Sequence, residues 1–370
     1  FYLKNENQLI FFISQFNFGG AGNAIFNFLK NLDYRKYNLH MIFIGKSDYE
    51  KLLPKHVKSY RLTVNTIFFK TFFSFFLIRK IFLQKDLINK KNVFISNIHY
   101  SNVLSVIFLR NIQHLKIILF ERTSLKELDI FYKFLPYLKN QIVKFLIRYT
   151  YPKADKVLAN SRTSVKELKE LKIQSGIVYS GSINKIVMKK KFVRRKFFTI
   201  IAVGRLTYQK DYFTLLDAIK NIENKNFILR IYGDGELKNS LIYYIKDNNL
   251  KKYVKLHGHE TNIRKIYLNA DLLIHTAIFE GLPNTVVEAM NFEIPIIASN
   301  SFGGTKELLN NGKFGDLFTT GDSKGLSRII QKFLTNPTKL KKKVTKSKSF
   351  LKRFNKKDSC KSLEKILMSI

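Results

Sequence analysis

At 370 residues the chain is too long for one ordinary core, so two domains are expected. Its composition, 45% hydrophobic and 14% aromatic, excludes an extended disordered chain, and its one cysteine, Cys360, excludes an internal disulfide or a cysteine-based zinc site. Lys and Arg total 65 against 27 Asp and Glu, a net charge of +38 that draws polyanions: nucleic acid, anionic headgroups or phosphorylated small molecules.

The single cysteine suits a reducing cytoplasm. A lysine-rich chain also rich in Asn, Ile, Phe and Tyr is what AT-rich codons supply, so coding bias competes with function as the origin of the charge. No secretory signal is legible.

In chain order, LIFFIS (9–14) reads as a buried strand, FGGAG (18–22) as a glycine loop and AIFNFLKNL as a helix. Further strands are expected at 39–45, 92–96, 116–120 and 156–160, giving a doubly wound N-terminal domain over residues 1–180. The charged stretch GSINKIVMKKKFVRRK (181–196) reads as a linker. A second series of strands follows at 197–204, 226–233, 253–258, 272–276 and 295–299, within a C-terminal domain over residues 197–350. Residues 351–370 read as a C-terminal helix packing back toward the N-terminal domain. The fold class expected is α/β: two Rossmann-like domains facing each other across a cleft, with the carboxyl ends of both sheets at that cleft.

IFFKTFFSFFLI (67–78) is the most apolar stretch, but it carries Lys70 and ends at Arg79-Lys80, short of the ~20 residues that span a bilayer. Two readings of 67–83 compete: an amphipathic helix dipping into a membrane face, and a crossover helix packed on the N-terminal sheet. The second is favoured, because apolar residues occur nearly all round it.

Three motifs carry chemistry. In VGRLTYQKD (203–211), Gly204 closes a strand, Arg205 can fork onto phosphate oxygens, and Lys210 adds a point charge near a helix start, which suits a diphosphate. IYGDGELKNSL (231–241) repeats the strand–glycine–helix theme with Gly233 and Gly235. In FEGLPNTVVEAM (279–290), Gly281 and Pro283 force a turn and leave the N–H groups of Asn284 and Thr285 at a helix start. Glu288, two turns beyond Glu280 on the same helix side, can accept from the vicinal hydroxyls of a ribose, and Glu280 from a second ring. The plainer alternatives are Glu280 as a helix cap and Glu288 as a solvent-facing charge.

Taken in order, VGRLTYQKD, YGDGELKNSL, NADLLIHTAIFEGLPNTVVEAM and IPIIASNSFGGTKELLNNGKFGDLF resemble the C-terminal domain of glycosyltransferase family 4, the retaining group 1 glycosyltransferases with the GT-B fold. The resemblance runs from about Phe197 to Ser327. It implies that Arg205 and Lys210 hold the donor diphosphate and stabilise the leaving group. Glu280, with Gly281 and Leu282 beside it, would meet donor sugar hydroxyls. Glu288 would bind the ribose, with the backbone of Asn284 and Thr285 near the phosphates. Gly303, Gly304 and Glu307 match the segment that follows, and Ala277 stands where many members have Ser.

FGGAGNA (18–24) fits the first glycine loop of the family, which puts Gly19 and Gly20 near the donor phosphates and Gly22 near the acceptor. SNIHYSNVLSVIFLRN (96–111), IILFERTS (117–124) and ADKVLANSRTSVKEL (154–168) resemble further parts of that half. His99 is a catalytic candidate there, against the plainer reading of a hydrogen-bonded structural histidine. Glu121 and Arg122 are expected to face the cleft as acceptor-binding groups. Ser180-Gly181 replaces the Asn-Pro usual at the linker.

No Asp-x-Asp pair stands at a strand end, so neither a divalent metal nor another cofactor is expected, and charge neutralisation falls to Arg205, Lys210 and helix starts. The expected function is retaining transfer of a hexose or N-acetylhexosamine from a UDP-linked donor to a glycan or lipid-linked acceptor, in bacterial surface polysaccharide synthesis. A cytoplasmic location, peripheral on the anionic inner membrane face, goes with it. The rivals are a non-catalytic partner subunit, an epimerase of the same fold and, remotely, a nucleic-acid-binding protein; no nucleic-acid partner is expected, since motifs of the RNP type and zinc patterns are missing.

Overall fold

Short runs of Ile, Leu, Val and Phe bury both faces of a strand only when helices cover both sides of its sheet, and this sequence builds two such sheets. The computed structural model describes residues 7–64, 70–82, 92–131, 134–185, 187, 197–223, 225–260 and 262–370. The chain divides into two units, Phe1–Gly181 with Lys356–Ile370, and Ser182–Asn355.

The first unit holds β1 (Gln8–Ile13), β2 (Asn38–Ile44), β3 (Lys58–Leu62), β4 (Asn92–Asn97), β5 (Leu115–Glu121), β6 (Lys156–Ala159) and β7 (Gly176–Ile177), ordered β3-β2-β1-β4-β5-β6-β7. The pairs are parallel; Phe11 of β1, for example, stands opposite Met41 of β2 and Ile95 of β4. Every residue of β1 is buried. Alternation sends Phe12 to one face, against Phe75 of the helix Lys70–Phe82, in a cluster with Val103 of the helix His99–Leu109 and Ile147 of the helix Phe134–Thr150. Phe11 goes to the other, with Phe28 of the helix Gly20–Asn31 and Leu363 of the C-terminal helix Lys356–Leu367. Each buried Phe contributes about 1.5–3 kcal/mol over an exposed one.

The second unit holds β8 (Phe198–Val203), β9 (Phe227–Tyr232), β10 (Val254–Gly258), β11 (Leu272–His275), β12 (Ile296–Ser299) and β13 (Asp316–Phe318), ordered β10-β9-β8-β11-β12-β13 and again parallel. Its core packs Ile200, Leu229 and Ile231 of the sheet with Leu215 and Ile219 of the helix Tyr212–Lys220 and Leu326 and Ile330 of the helix Ser323–Thr335. In each sheet the order reverses once, between β1 and β4 and between β8 and β11. At such a switch point the flanking loops leave in opposite directions and open a crevice at the carboxyl ends of the strands.

Several expectations need correction. β3, β7 and β13 are absent from the sequence reading because they are short or at edges; in β3 the residues Lys58, Ser59 and Arg61 are exposed, so no apolar run marks it. FGGAG is only partly a loop, since Gly20 already opens the helix Gly20–Asn31. Of the stretch taken as a linker, Ser182–Lys185 and Val187 belong to the second unit. Ile183 bridges Asn355, Asn355 donates to Asn184 O (2.9 Å), and Asn291 holds both Val187 N–H (3.1 Å) and Lys185 O (3.2 Å). Residues 186 and 188–196 lie outside the described residues, as do 67–69 and 83 of the apolar stretch. Residues 70–82 form a helix that buries Phe75, Ile78 and Phe82 while Phe73, Phe76 and Leu77 stay exposed. Among the described residues no helix is long and apolar enough to cross a membrane.

Candidate active site

In the second unit the loops leaving β8, β9 and β10 are stitched together by their backbones. Gly204 N–H donates to Tyr232 O (3.0 Å), Leu206 N–H to Asp234 O (2.9 Å) and Gly233 N–H to Gly258 O (2.7 Å). A Cβ on Gly233 would stand 1.9 Å from Gly204 O, so only glycine allows this contact. Across the switch point the β8 and β11 loops interlock in the same way. Ile278 N–H donates to Gln209 O (2.8 Å), Gln209 Nε2 to Phe279 O (2.9 Å) and Thr276 Oγ1 to Lys210 O (2.7 Å). The loop after β12 closes the set: Glu280 N–H donates to Phe302 O (2.8 Å) and Gly304 N–H to Gly281 O (2.7 Å).

This frame brings charge together. Lys210, in a single helical turn ahead of Tyr212–Lys220, forms an ion pair with Glu280, and both side chains are mostly buried. His275, the last residue of β11, lies 3.5 Å through Nε2 from the same carboxylate oxygen. Burial alone would raise the pKa of Glu280, but the Lys210 ammonium and the His275 ring outweigh it and hold it at about 2. Burial pushes His275 below its ordinary value, so at neutral pH it is an uncharged ring against an ionised carboxylate. Arg205 is exposed at the end of β8 and enters no ion pair among the described residues. Tyr212 is buried and donates to Gly204 O (3.0 Å).

The helix Asn284–Asn291 follows Pro283 with no side-chain cap, so Glu280 is not its cap; it sits on the preceding loop, off the helix. Glu288 is buried rather than solvent-facing, and Tyr267 OH donates to its Oε2 (2.8 Å) and to Thr285 O (3.2 Å). Asn284 accepts from Ser182 Oγ (2.8 Å), Leu282 is buried, and Thr285 Oγ1 is buried with no hydrogen-bond partner among the described residues. Gly303 packs on the Glu280 backbone, Gly304 bonds Gly281, and Glu307 lies in the short helix Thr305–Leu308.

The first unit gathers a second set of groups at its own switch point. Gly19 precedes the helix that Gly20 opens, and Gly22 presses on the backbone of Asn17, where a Cβ would lie 2.3 Å from the carbonyl oxygen. His99 is not a strand-end residue; it opens the helix after β4, with Nε2 3.2 Å from Glu127 and Nδ1 3.8 Å from Glu121. Burial opposes a charge on His99, but the two carboxylates outweigh it and raise its pKa. Glu121 is fully buried and accepts from Asn102 Nδ2 (2.8 Å) and from Tyr151 OH, behind His99. Arg122 is buried too, flat on the Phe120 ring at 3.8 Å, with Nε on Asn97 Oδ1 (2.5 Å) and Nη1 3.5 Å from Ser180 Oγ. Burial lowers its pKa to about 9, and its Nη2 has no partner among the described residues.

Sequence reasoning missed His275, Tyr212, Tyr267 and Glu127. The position of His275 at the end of a strand beside the sheet reversal was the available signal. Among the described residues no group of three or more His, Cys, Asp or Glu side chains gathers as a metal site.

Residues 184–349 match the family model described as Glycosyl transferases group 1. The chain is 27% identical over 232 residues to the N-acetylgalactosamine-N,N'-diacetylbacillosaminyl-diphospho-undecaprenol 4-alpha-N-acetylgalactosaminyltransferase of Campylobacter jejuni, covering 60% of this chain and 63% of that one, a little under two thirds of the relative's length. It is 26% identical over 362 residues, 94% of each chain, to the GalNAc-alpha-(1->4)-GalNAc-alpha-(1->3)-diNAcBac-PP-undecaprenol alpha-1,4-N-acetyl-D-galactosaminyltransferase of the same organism. The crystal structure of Anabaena HepE in complex with UDP and glucose superposes with a TM-score of 0.80 at 18% identity, over 99% of this chain and 100% of that one, which shows the fold. Residues 184–349 of the second unit thus match the group 1 glycosyltransferases, nearly the whole length aligns to a named transferase, and the chain has the GT-B fold.

Proposed function

We propose that the protein transfers a hexose or N-acetylhexosamine from a UDP-linked donor to a lipid-linked or glycan acceptor, with retention at the anomeric carbon. The observation that carries this reading is the cluster at the switch point of the second sheet. Arg205 and Lys210 supply two cations at the end of β8, Glu280 stays ionised beside His275, and Glu288 is oriented by Tyr267 in the helix that opens at Asn284. A diphosphate needs cations and a helix N-terminus, and a ribose needs a fixed carboxylate; all stand on one sheet edge. The names of the Campylobacter relatives support a diphospho-undecaprenol acceptor, and HepE with UDP and glucose supports the donor class.

In this mechanism Arg205 and Lys210 stabilise the charge that grows on the departing diphosphate while the bond from the anomeric carbon to its phosphate oxygen breaks. The acceptor hydroxyl forms the new bond on the same face and gives its proton to the leaving phosphate. Glu280 orients the donor sugar through its hydroxyls, Glu288 holds the ribose, and the Asn284 and Thr285 backbone lies near the phosphates. Gly281 and Leu282 shape that loop. By the family resemblance, Gly19 and Gly20 are assigned to the donor phosphates and Gly22 to the acceptor. His99, with its raised pKa, is the catalytic candidate of the first unit, and the unpartnered Nη2 of Arg122 is the group for an acceptor pyrophosphate. With two cations and a helix start in place, no divalent metal is needed, and activity should persist in EDTA. A lipid-linked acceptor places the reaction on an anionic, cytoplasmic membrane face.

The test is release of nucleoside diphosphate from a panel of nucleotide sugars with a polyprenyl-diphosphate-linked acceptor. Arg205→Ala is expected to lower kcat/KM by about 10²–10³. Unchanged turnover in that variant, or release of free epimerised sugar without acceptor, overturns the reading.

A further inference from the structure

Six large apolar side chains of the 17-residue helix Phe134–Thr150 are open to solvent: Phe134, Leu135, Leu138, Ile142, Phe145 and Tyr149, at 47–75% exposure. At about 100° per residue, all six fall within a sector about 100° wide. The opposite side, with Val143, Ile147 and Thr150, is already buried on the first unit's core. The helix is therefore apolar twice over, once inward and once outward. Single exposed apolar residues are ordinary, but an unbroken row of six is not. The same helix layer adds Ile107 and, on the helix Lys70–Phe82, Phe73 and Phe76, all exposed.

The border of the row says what covers it. The helix contains Lys139, Lys144 and Arg148 and no acidic residue. On a helical projection Lys144 and Arg148 lie along one margin of the apolar sector and Lys139 beyond the other, its Nζ 4.1 Å over the Tyr100 ring. Lys144 is engaged by Asp129, while Arg148 is exposed. A partner complementary to an apolar stripe with a cationic margin is apolar inside and anionic at its surface. One leaflet of an anionic bilayer has that layering.

We propose that the helix Phe134–Thr150 is a membrane-docking element lying in the plane of an anionic leaflet. Its apolar row enters the acyl boundary, and Lys139, Arg148 and the stem of Lys144 meet the headgroup phosphates. The stretch at residues 67–83, singled out by its composition, takes a secondary part, since its helix buries Phe75, Ile78 and Phe82 in the core. The assignment refines the lipid-linked reading of the acceptor and rests on it, because docking holds the site where such an acceptor resides.

The experiment is flotation of the full chain with phosphatidylcholine vesicles containing about one third phosphatidylglycerol, with pure phosphatidylcholine vesicles alongside. The wild type is expected to float with the anionic vesicles and at least about tenfold less with the neutral ones. Leu138→Ser, Ile142→Ser and Phe145→Ser combined, at exposed positions that leave the core intact, should lower anionic-vesicle binding at least about tenfold with an unchanged circular dichroism spectrum and Tm. An unbound wild type, or a triple variant that floats as well as the wild type, overturns the proposal. So does a dimeric wild type that the triple variant turns monomeric in light scattering, since the row then meets a second copy. No substrate is used, so a protein without transferase activity can still float, and one that fails to float can still bind nucleotide.

Discussion

Glu280 is the residue on which three loops of the second unit converge: its carboxylate meets Lys210 and His275, and its N–H donates to Phe302 O. Its pKa lies at about 2 in the folded chain against an ordinary 4.5, so the ionised form favours the native state. The sign follows: this stability is present above about pH 4.5 and is lost as pH falls toward 2. Its size is on the order of 3 kcal/mol. Urea denaturation at about pH 6 and about pH 3 should therefore show a smaller pH dependence in Glu280→Gln than in the wild type; identical slopes mean that Lys210 and His275 do not depress the group. Lys210 and Arg205 differ in the same terms. Lys210→Ala strands a buried carboxylate, and about 3 kcal/mol of stability should go with the turnover. Arg205 is exposed, so Arg205→Ala should keep stability within about 0.5 kcal/mol while turnover falls. Measuring kcat/KM and the urea midpoint for both variants separates the two effects.

Elements matter here chiefly as loop geometry. Gly303 has φ +103°, and a Cβ there would lie 1.6 Å from Glu280 O. Gly303→Ala should cost at least about 2 kcal/mol and displace Glu280, read as a lower urea midpoint with a matching loss of activity. The pairing of Tyr267 with Glu288 is subtler: Tyr267→Phe removes one hydrogen bond, and KM for the donor should rise several-fold with kcat nearly unchanged. Buried runs such as QLIFFI and FTIIAV announced their strands, because burial on both faces leaves a continuous apolar signature. Lys58–Leu62 and Asp316–Phe318 left none, being an exposed edge strand and a three-residue strand. The turn around Gly281 and Pro283 was legible for the same local reason. Tyr267 and His275 were not, since their roles depend on contacts with residues 21 and 5 positions away that no period marks. The burial of Glu121 was not legible either, since a Glu-Arg pair at a strand end reads as exposed, whereas its strand is interior and Tyr151 OH donates to it.

Both units repeat one architecture: a parallel sheet, helices on both faces, and charged and polar side chains at the carboxyl edge where the strand order reverses. Under the two proposals above, the +38 charge serves two specific purposes beside coding bias: cations at a diphosphate site and a cationic margin on an apolar helix. The second predicts salt-sensitive vesicle binding, and the first predicts nucleotide affinity that depends on single side chains. Calorimetric titration of the full chain with UDP is the most direct measurement. Wild type should bind in a single-site isotherm, and Arg205→Ala and Glu288→Ala should each weaken binding by at least about tenfold. No heat of binding from the wild type, or one affinity shared by all three proteins, contradicts the assignment of this sheet edge to a sugar nucleotide.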